Sequence, residues 1–369
     1  MTDLPRLFEP LRLGSVRLPN RIMVSPMCQY SARAGCATDW HTIHLGALAT
    51  SGAGLLCLEA TAVSMEGRIT PGCLGLYSDA NEDALRRLLH MLRGVTATPL
   101  GIQLSHAGRK GSCHVPWAGG RPLSNAEGAW HTAAPSTIPQ MSDAPLPSAM
   151  NAANLRQVVA DFREAARRAR RLGFDVIEVH MAHGYLLHQF LSPLANRRED
   201  CYGGSLENRL RLPLEVFEVV AEAAGHEIAV GARISASDWA PGGFEIAEAV
   251  LLAQALERRG CKFVDVTSGG LSAAQKVTPV PGYQTGFAAV VRRAVRMPVV
   301  TVGLISEPSQ AEEIVRRGDA DLVAMARAFL REPRWPWRAA AELGGLVAVA
   351  PQLSRAIPPG ARPVFAVSA

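Results

Sequence analysis

A single (β/α)₈ barrel of the TIM type, an α/β fold, is what this sequence predicts, and three observations predict it. Eight short β-branched or apolar runs recur along the chain, at residues 22–27, 55–63, 100–104, 176–180, 228–234, 263–267, 299–302 and 322–325. Helical segments alternate with them throughout, as a closed parallel barrel requires, because each parallel crossover needs a connecting element about as long as a helix. The chain carries no Walker or GxGxxG fingerprint, so no separate dinucleotide domain is predicted.

Each element has its own signal. The run at 22–27 is followed by a helix at 39–51, whose end merges into the most apolar stretch, 44–63. That stretch holds three glycines and Glu59, so it reads as a helix end plus a buried strand, not a membrane span. A helix at 81–92 leads to strand 3. After the strand at 100–104 the pattern breaks, because residues 105–150 are rich in Gly, Pro, Ser and Trp where a minimal barrel needs only a short loop. An insertion at a strand exit lies on the active-site face, and a lid-like role is expected of it. The helix at 154–171 places Leu155, Val158, Val159, Phe162, Ala166 and Ala169 on one stripe, leaving the arginines of 163–171 as a solvated face. Helices follow at 207–224 and 245–259, the latter closed by Gly260, and at 287–295. Ser306-Glu-Pro opens a helix at 308–317 that Gly318 closes, and a last helix is expected near 337–343. The barrel is assigned to 1–345. Residues 346–369 are Pro-rich and non-periodic, a tail expected to lie on a surface and to contact another subunit.

At 369 residues and 48% hydrophobic content the chain can bury a large core. The net charge of +5 comes from arginines scattered among acids, without Lys-rich blocks or interleaved aromatics, so neither nucleic acid nor a membrane is expected as partner. Seven cysteines form no CxxC pair, and the N-terminus lacks a basic segment followed by an apolar one. Reduced thiols and a cytoplasmic location are the expectation.

Chemistry in such barrels collects where strands end. Strand 4 runs out into His180-Met-Ala-His183-Gly-Tyr185, two imidazoles and a phenol that can donate hydrogen bonds and protons. Alone, that spacing fits equally a buried histidine satisfied by backbone. The other exits supply Pro26, Met27, Cys28 and Tyr30 on strand 1, Ala60 on strand 2 and Gln103 on strand 3. Arg233 ends strand 5, Ser268 and Gly269 strand 6, Gly303 strand 7, and Ala326 and Arg327 strand 8. No carboxylate pair converges at these exits, so a metal is disfavoured, although a zinc hydrolase using His180 and His183 stays open. An amide, a guanidinium, a thiol and a small side chain suit a planar heteroaromatic ring. Glycine exits with an arginine suit a phosphate, and a phosphorylated flavin satisfies both.

Taken together these residues resemble the old yellow enzyme family of FMN-dependent ene-reductases, in its thermophilic-like or xenobiotic reductase branch. The resemblance rests on Leu7-Phe-Glu-Pro-Leu, Asn20-Arg21, Ser25-Pro-Met-Cys-Gln-Tyr30, Glu59-Ala-Thr61, Gly101-Ile-Gln-Leu-Ser-His-Ala-Gly-Arg-Lys110 and the His180 to Tyr185 segment. It continues through Asn196-Arg197, Tyr202-Gly-Gly204, Glu207-Asn-Arg209, Arg233-Ile-Ser-Ala-Ser-Asp238 and Arg327. It implies an oxidoreductase in which FMN is reduced by NADPH or NADH and then reduces the C=C bond of an activated alkene, such as an α,β-unsaturated carbonyl or a nitro compound, in ping-pong turnover. By the same resemblance Gln103 and Arg233 meet the pyrimidine edge of the flavin, while Pro26, Met27, Cys28 and Ala60 form its seat. Ser268, Gly269, Gly303, Ala326 and Arg327 hold the phosphate. His180 and His183 bind the substrate oxygen, Tyr185 delivers a proton, and Tyr30 lines the pocket. Two departures stand out: Ala326 where the family usually has glycine, and Leu353 where it usually has an aromatic residue. The motif around Leu353 implies a homodimer or homotetramer in which Arg355 reaches a neighbouring subunit's site. A flavin binder without turnover is the remaining rival.

Overall fold

The structure, a computed structural model, describes residues 4–142 and 144–365. Eight parallel strands close into a barrel, in order β1 (Ile22–Val24), β2 (Leu55–Ala62), β3 (Leu100–Ser105), β4 (Val176–Met181), β5 (Ala229–Ser235), β6 (Val264–Thr267), β7 (Val299–Thr301) and β8 (Leu322–Met325). β8 pairs with β1 through Val323↔Ile22, which closes the circle. Around it lie α1 (Asp39–Ala49), α2 (Asp79–Arg93), α3 (Ala152–Arg171), α4 (Leu206–Ala224), α5 (Ile246–Arg258), α6 (Thr285–Ala294), α7 (Pro308–Arg317) and α8 (Trp335–Leu343). All eight strands and all eight helices fall on the segments that the sequence marks.

The stripe on α3 buries Leu155, Val158, Phe162, Ala166 and Ala169, while Arg168 and Arg171 turn outward to grip Glu82 of α2. Three helix starts are capped by Ser78, Asn151 and Ser205, each accepting from backbone N–H groups of the first turn.

Three features depart from the expectation. β1 ends at Val24 and not at 27, because Pro26 has no N–H to continue the ladder; Ser25 N–H still donates to Met325 O at 3.0 Å. A hairpin, Leu11–Leu13 with Val16–Leu18, turns through Gly14 at φ +56°. It buries Leu13 and Leu18 against Met23, Leu55, Phe263 and Leu322, plugging the end of the barrel where the strands begin. The tail is also more ordered than its composition suggests. Leu346–Val349 pairs in parallel with Arg362–Phe365, and Val347 and Val349 are buried, so alternation in a four-residue strand was hidden among prolines. Residues 366–369 of the predicted tail, 143 of the insertion and 1–3 of the N-terminal segment lie outside the described residues.

The tail docks at the bottom of the barrel: a Cβ on Gly52, just before β2, would meet Val347 Cγ2 at 2.5 Å. Arg355, exposed on a short turn at Pro351–Ala356, therefore sits on the face opposite the strand exits of its own chain. The insertion forms three 3₁₀ turns (Gly108–Lys110, Pro116–Ala118, Asn125–Glu127) and a parallel two-residue pair, Ala133–Ala134 with Ser148–Ala149. Among the described residues no helix is long and apolar enough to cross a membrane, and no group of metal-ligand residues is assembled.

Candidate active site

Two spaces open at the strand exits; Lys110, which grips the turn that follows β4, lines one, and His183 of that turn lines the other. One is a cavity of about 400 Å³ beneath the insertion, lined by Tyr30, Ile69, Arg109, Lys110, Trp130 and His131 among others. The other is a cleft of about 290 Å³ running from Ser25, Pro26, His183, Arg233 and Thr267 to Gly303, Leu304, Ala326, Arg327 and Arg331.

That turn is tightly defined. β4 carries His180 next to its last residue, and the His180 ring lies 5.3 Å from that of His183 and 5.0 Å from that of Tyr185, both edge to face. The structure thus brings together the three residues that the sequence singled out. His183 adopts φ +58°, a left-handed conformation that costs a side-chain-bearing residue energy and is held here by its surroundings. Its N–H donates to Ser235 Oγ at 3.0 Å, and its carbonyl accepts from Lys110 Nζ at 2.8 Å. Lys110 also donates to Gly270 O at 2.8 Å and stands 5.0 Å over the Tyr185 ring.

The side chain of His183 points into the cleft, Nε2 lying 3.0 Å from Thr267 Oγ1. That hydroxyl donates its own proton to Gln284 Oε1 at 3.1 Å, so His183 Nε2 carries hydrogen and donates. His180 Nδ1 is buried without a hydrogen-bond partner among the described residues, an arrangement costing about 1–3 kcal/mol until a ligand meets it. Burial, reinforced by the Arg233 charge, holds both imidazoles well below their usual range, so both are neutral. Burial likewise pushes the Tyr185 phenol far up, and it keeps its proton.

Beside this turn lies the polar end of the cleft. An extra residue in β2, Glu59, shifts the register so that Ala60 lies opposite Gln103 of β3. Glu59 faces outward, where Oε2 accepts the Gln29 N–H at 3.0 Å and Oε1 lies 3.3 Å from His41 Nε2, anchoring the loop that carries Cys28 and Tyr30. Tyr30 adopts φ +50°. The Cys28 thiol is pushed well up by burial and by Glu59, so it stays protonated. Met27 packs against the core beside it.

Where the sequence showed no carboxylate pair at the exits, the structure places two acids one layer deeper. Gln103 Nε2 donates to Glu178 Oε1 at 2.6 Å, and Arg233 Nε lies 3.0 Å from Asp265 Oδ2. Both pairs sit directly opposite one another on neighbouring strands. Arg233 also reaches Ser25 Oγ at 3.3 Å. Asp265 alone pairs with the guanidinium, and Glu178, in the same buried layer, feels its charge without touching it. Burial and Asp265 hold the Glu178 carboxyl well above its ordinary range. The folded state therefore binds a proton that the unfolded chain releases near pH 4.5, and stability contributed by this group is lost as pH rises from there toward the raised folded value. Glu178→Gln is accordingly expected to flatten the fall in thermal midpoint between pH 6 and 9, measured by circular dichroism. An unchanged fall contradicts the assignment.

At the far end, Gly303 takes φ +135°, and a Cβ there would press on Gln284 Nε2 at 2.9 Å. Arg327 and Arg331, one helical turn apart on Arg327–Arg331, are exposed and carry no acidic partner among the described residues. Ser268 and Gly269 do not line this cleft. Ser268 Oγ donates to Gln284 Oε1 at 2.6 Å, and Gly269 N–H donates to Ser237 O at 2.7 Å, so the β6 exit is tied to its own surroundings. Gln284 and Arg331 were missed by the sequence reading. Gln284 precedes a helix with no motif around it. Arg331 had a readable signal, its spacing of four from Arg327.

These residues fit a flavin mononucleotide. A cleft with two uncommitted arginines and a glycine exit at one end suits a phosphate dianion. The buried Arg233 guanidinium with Ser25 and Pro26 at the other end suits the edge and face of a polar heteroaromatic ring.

The model of the NADH:flavin oxidoreductase / NADH oxidase family matches residues 6–344. The chain belongs to this family, and to its old yellow enzyme branch. It is 42% identical over 351 residues to an NADPH dehydrogenase of Geobacillus sp. (strain WCH70), covering 95% of this chain and 98% of the relative. An NADH:flavin oxidoreductase of Gibberella zeae is 40% identical over 366 residues, with 94% and 88% covered. Among solved structures, morphinone reductase superposes with a TM-score of 0.77 at 30% identity, covering 94% of this chain and 91% of its own. A variant of morphinone reductase in complex with tetrahydroNAD superposes at 0.75 and 29% identity, with 98% and 95% covered. This old yellow enzyme relative is therefore an oxidoreductase that uses FMN and takes its electrons from a nicotinamide nucleotide.

Proposed function

We propose that the enzyme reduces the C=C bond of activated alkenes, α,β-unsaturated carbonyls and nitro compounds, in ping-pong turnover with NADPH or NADH. The observation that carries this reading is the clustering of two neutral imidazoles and a protonated phenol within one turn, with His183 lining a cleft that suits a flavin and Lys110, which grips the turn, lining a second cavity. When bound, FMN supplies the two-electron chemistry, accepting hydride from the nicotinamide and passing it to the alkene β-carbon.

The chain's own residues do the rest. His180 and His183 hold the substrate oxygen by hydrogen bonds, which polarises the double bond and stabilises the developing enolate as an oxyanion hole does. For this His183 exchanges Thr267 for the substrate, a side-chain rotation that also frees the cleft. Tyr185, with its proton held firmly, delivers it to the α-carbon, and the Lys110 charge over its ring favours the phenolate left behind. Tyr30 forms a wall of the substrate cavity, edge-on to Trp117 of the insertion at 5.8 Å. The insertion closes over this cavity as a lid. Pro26, Met27, Cys28 and Ala60 seat the flavin ring, Gln103 and Arg233 meet its pyrimidine edge, and the positive charge of Arg233 favours the reduced, anionic ring. Gly303, Ala326 and Arg327, joined by Arg331 and backed by Ser268 through Gln284, receive the phosphate, while Gly269, tied to Ser237, takes no direct part. Arg355, on the opposite face of its own barrel, serves a site only in another copy, which implies a homodimer or homotetramer.

Anaerobic single turnover tests the reading. Protein reduced with NADPH and mixed with cyclohexenone is expected to regain its flavin absorbance as cyclohexanone forms. Flavin that is reduced by NADPH but never reoxidised by enones or nitroalkenes contradicts it.

A further inference from the structure

The turn that carries His183 and Tyr185 is fixed from below by a second histidine that no step above uses. His188, in the helix Leu186–Leu191, is completely buried, and its Nδ1 accepts the Gly184 N–H at 2.8 Å. Its Nε2 lies 2.9 Å from Asp238 Oδ1; the N–H does not point straight along that line, but neither atom has another hydrogen-bond partner among the described residues. The other oxygen of Asp238, also fully buried, accepts Ser192 Oγ at 2.5 Å and the Phe244 N–H at 2.7 Å. Gly184 is further held through its carbonyl, which accepts Gln189 Nε2 at 2.7 Å, and at φ +72° a Cβ on it would lie 2.2 Å from Gly270 O. The peptide between His183 and Tyr185 is thus fixed on both its polar atoms, and Asp238 is the far end of the chain that fixes its N–H.

We infer that Asp238 and His188 are positioning residues for the proposed reaction: Asp238 holds His188 as the Nε2–H tautomer, leaving Nδ1 bare to grip Gly184 and so set the directions in which His183 and Tyr185 project. The inference rests on the proposed roles of those two residues.

The hydrogen-bond signs make the relay specific. Gly184 N–H can only donate, so Nδ1 must accept and the ring proton must be on Nε2. Phe244 N–H can only donate as well, so in Asp238→Asn the oxygen must stay on the Phe244 side and the amide NH₂ must face His188. Two donors then oppose each other, His188 moves its proton to Nδ1, and Nδ1–H confronts the Gly184 N–H. The volume of the side chain is unchanged, yet the turn is released.

Wild-type FMN-loaded enzyme with ¹⁵N-labelled histidine, read by long-range ¹H–¹⁵N correlation, is expected to show His188 protonated at Nε2. Protonation at Nδ1 overturns the relay whether or not any variant folds. Asp238→Asn is expected to invert that tautomer and weaken binding of p-hydroxybenzaldehyde about tenfold or more, roughly the worth of one hydrogen bond, with FMN content per chain unchanged. Ser192→Ala loosens the same pocket without reversing any sign, and is expected to bind the probe within about twofold of wild type. If Asp238→Asn inverts the tautomer yet binds like wild type, or if Ser192→Ala weakens binding equally, the positioning role is wrong. Should His183→Ala leave probe binding untouched, the proposed substrate role fails, while the wild-type tautomer still decides the relay.

Discussion

Replacing Tyr185 by Phe is expected to slow reoxidation of the reduced enzyme by an enone about 10²- to 10⁴-fold, the usual contribution of a positioned general acid, while leaving flavin reduction by NADPH near the wild-type rate. The split follows from where the proton is needed. Hydride transfer from nicotinamide asks nothing of a phenol, whereas saturating the alkene requires a proton at the α-carbon. In the proposed reaction Tyr185 is that acid. Its ring is 5.0 Å from that of His180, burial keeps it protonated, and Lys110 stands 5.0 Å over its face. Stopped-flow absorbance of the two half-reactions separates them. Equal losses in both would show that Tyr185 only maintains the pocket.

The second large effect belongs to the histidines. His183→Ala is expected to cost about 10²- to 10³-fold in the rate of enone reduction, as loss of one oxyanion donor does, and to weaken a phenol ligand, with FMN still bound. His180→Ala is expected to behave alike, because its buried Nδ1 has no partner to lose among the described residues. Burial keeps both rings neutral, so neither effect depends on protonating an imidazole. Loss of FMN from either variant, with phenol affinity unchanged in what remains loaded, would move both residues from the substrate to the cofactor.

Much of this was legible in the chain because a barrel writes its period in strands of continuous apolar residues and helices of one-sided ones. The stripe from Leu155 to Ala169 buries as the spacing requires, and the strand that carries His180 near its end delivers its histidine to the site. What stayed hidden depends on partners distant in sequence. Glu178 and Asp265 read as ordinary residues in strands, and only the barrel's registry sets them opposite Gln103 and Arg233. The pull of Gln284 on Ser268 and Thr267, which keeps Ser268 out of the cleft, leaves no local trace. Val347 and Val349 were masked by prolines that end strands but do not prevent a short one from pairing at an edge. His188 and Asp238 are 50 residues apart, and their pairing is a property of the fold alone.

In the proposed reaction the imidazole pair faces the flavin across a gap that one flat conjugated molecule fills. Titrating the FMN-loaded enzyme with p-hydroxybenzaldehyde while recording visible absorbance tests it most directly, since an electron-rich phenolate stacked on an oxidised flavin creates a new long-wavelength band. The band is expected in wild type and is expected to weaken or vanish in His183→Ala. A wild-type enzyme that holds its FMN but shows no such band at saturating phenol would contradict the account.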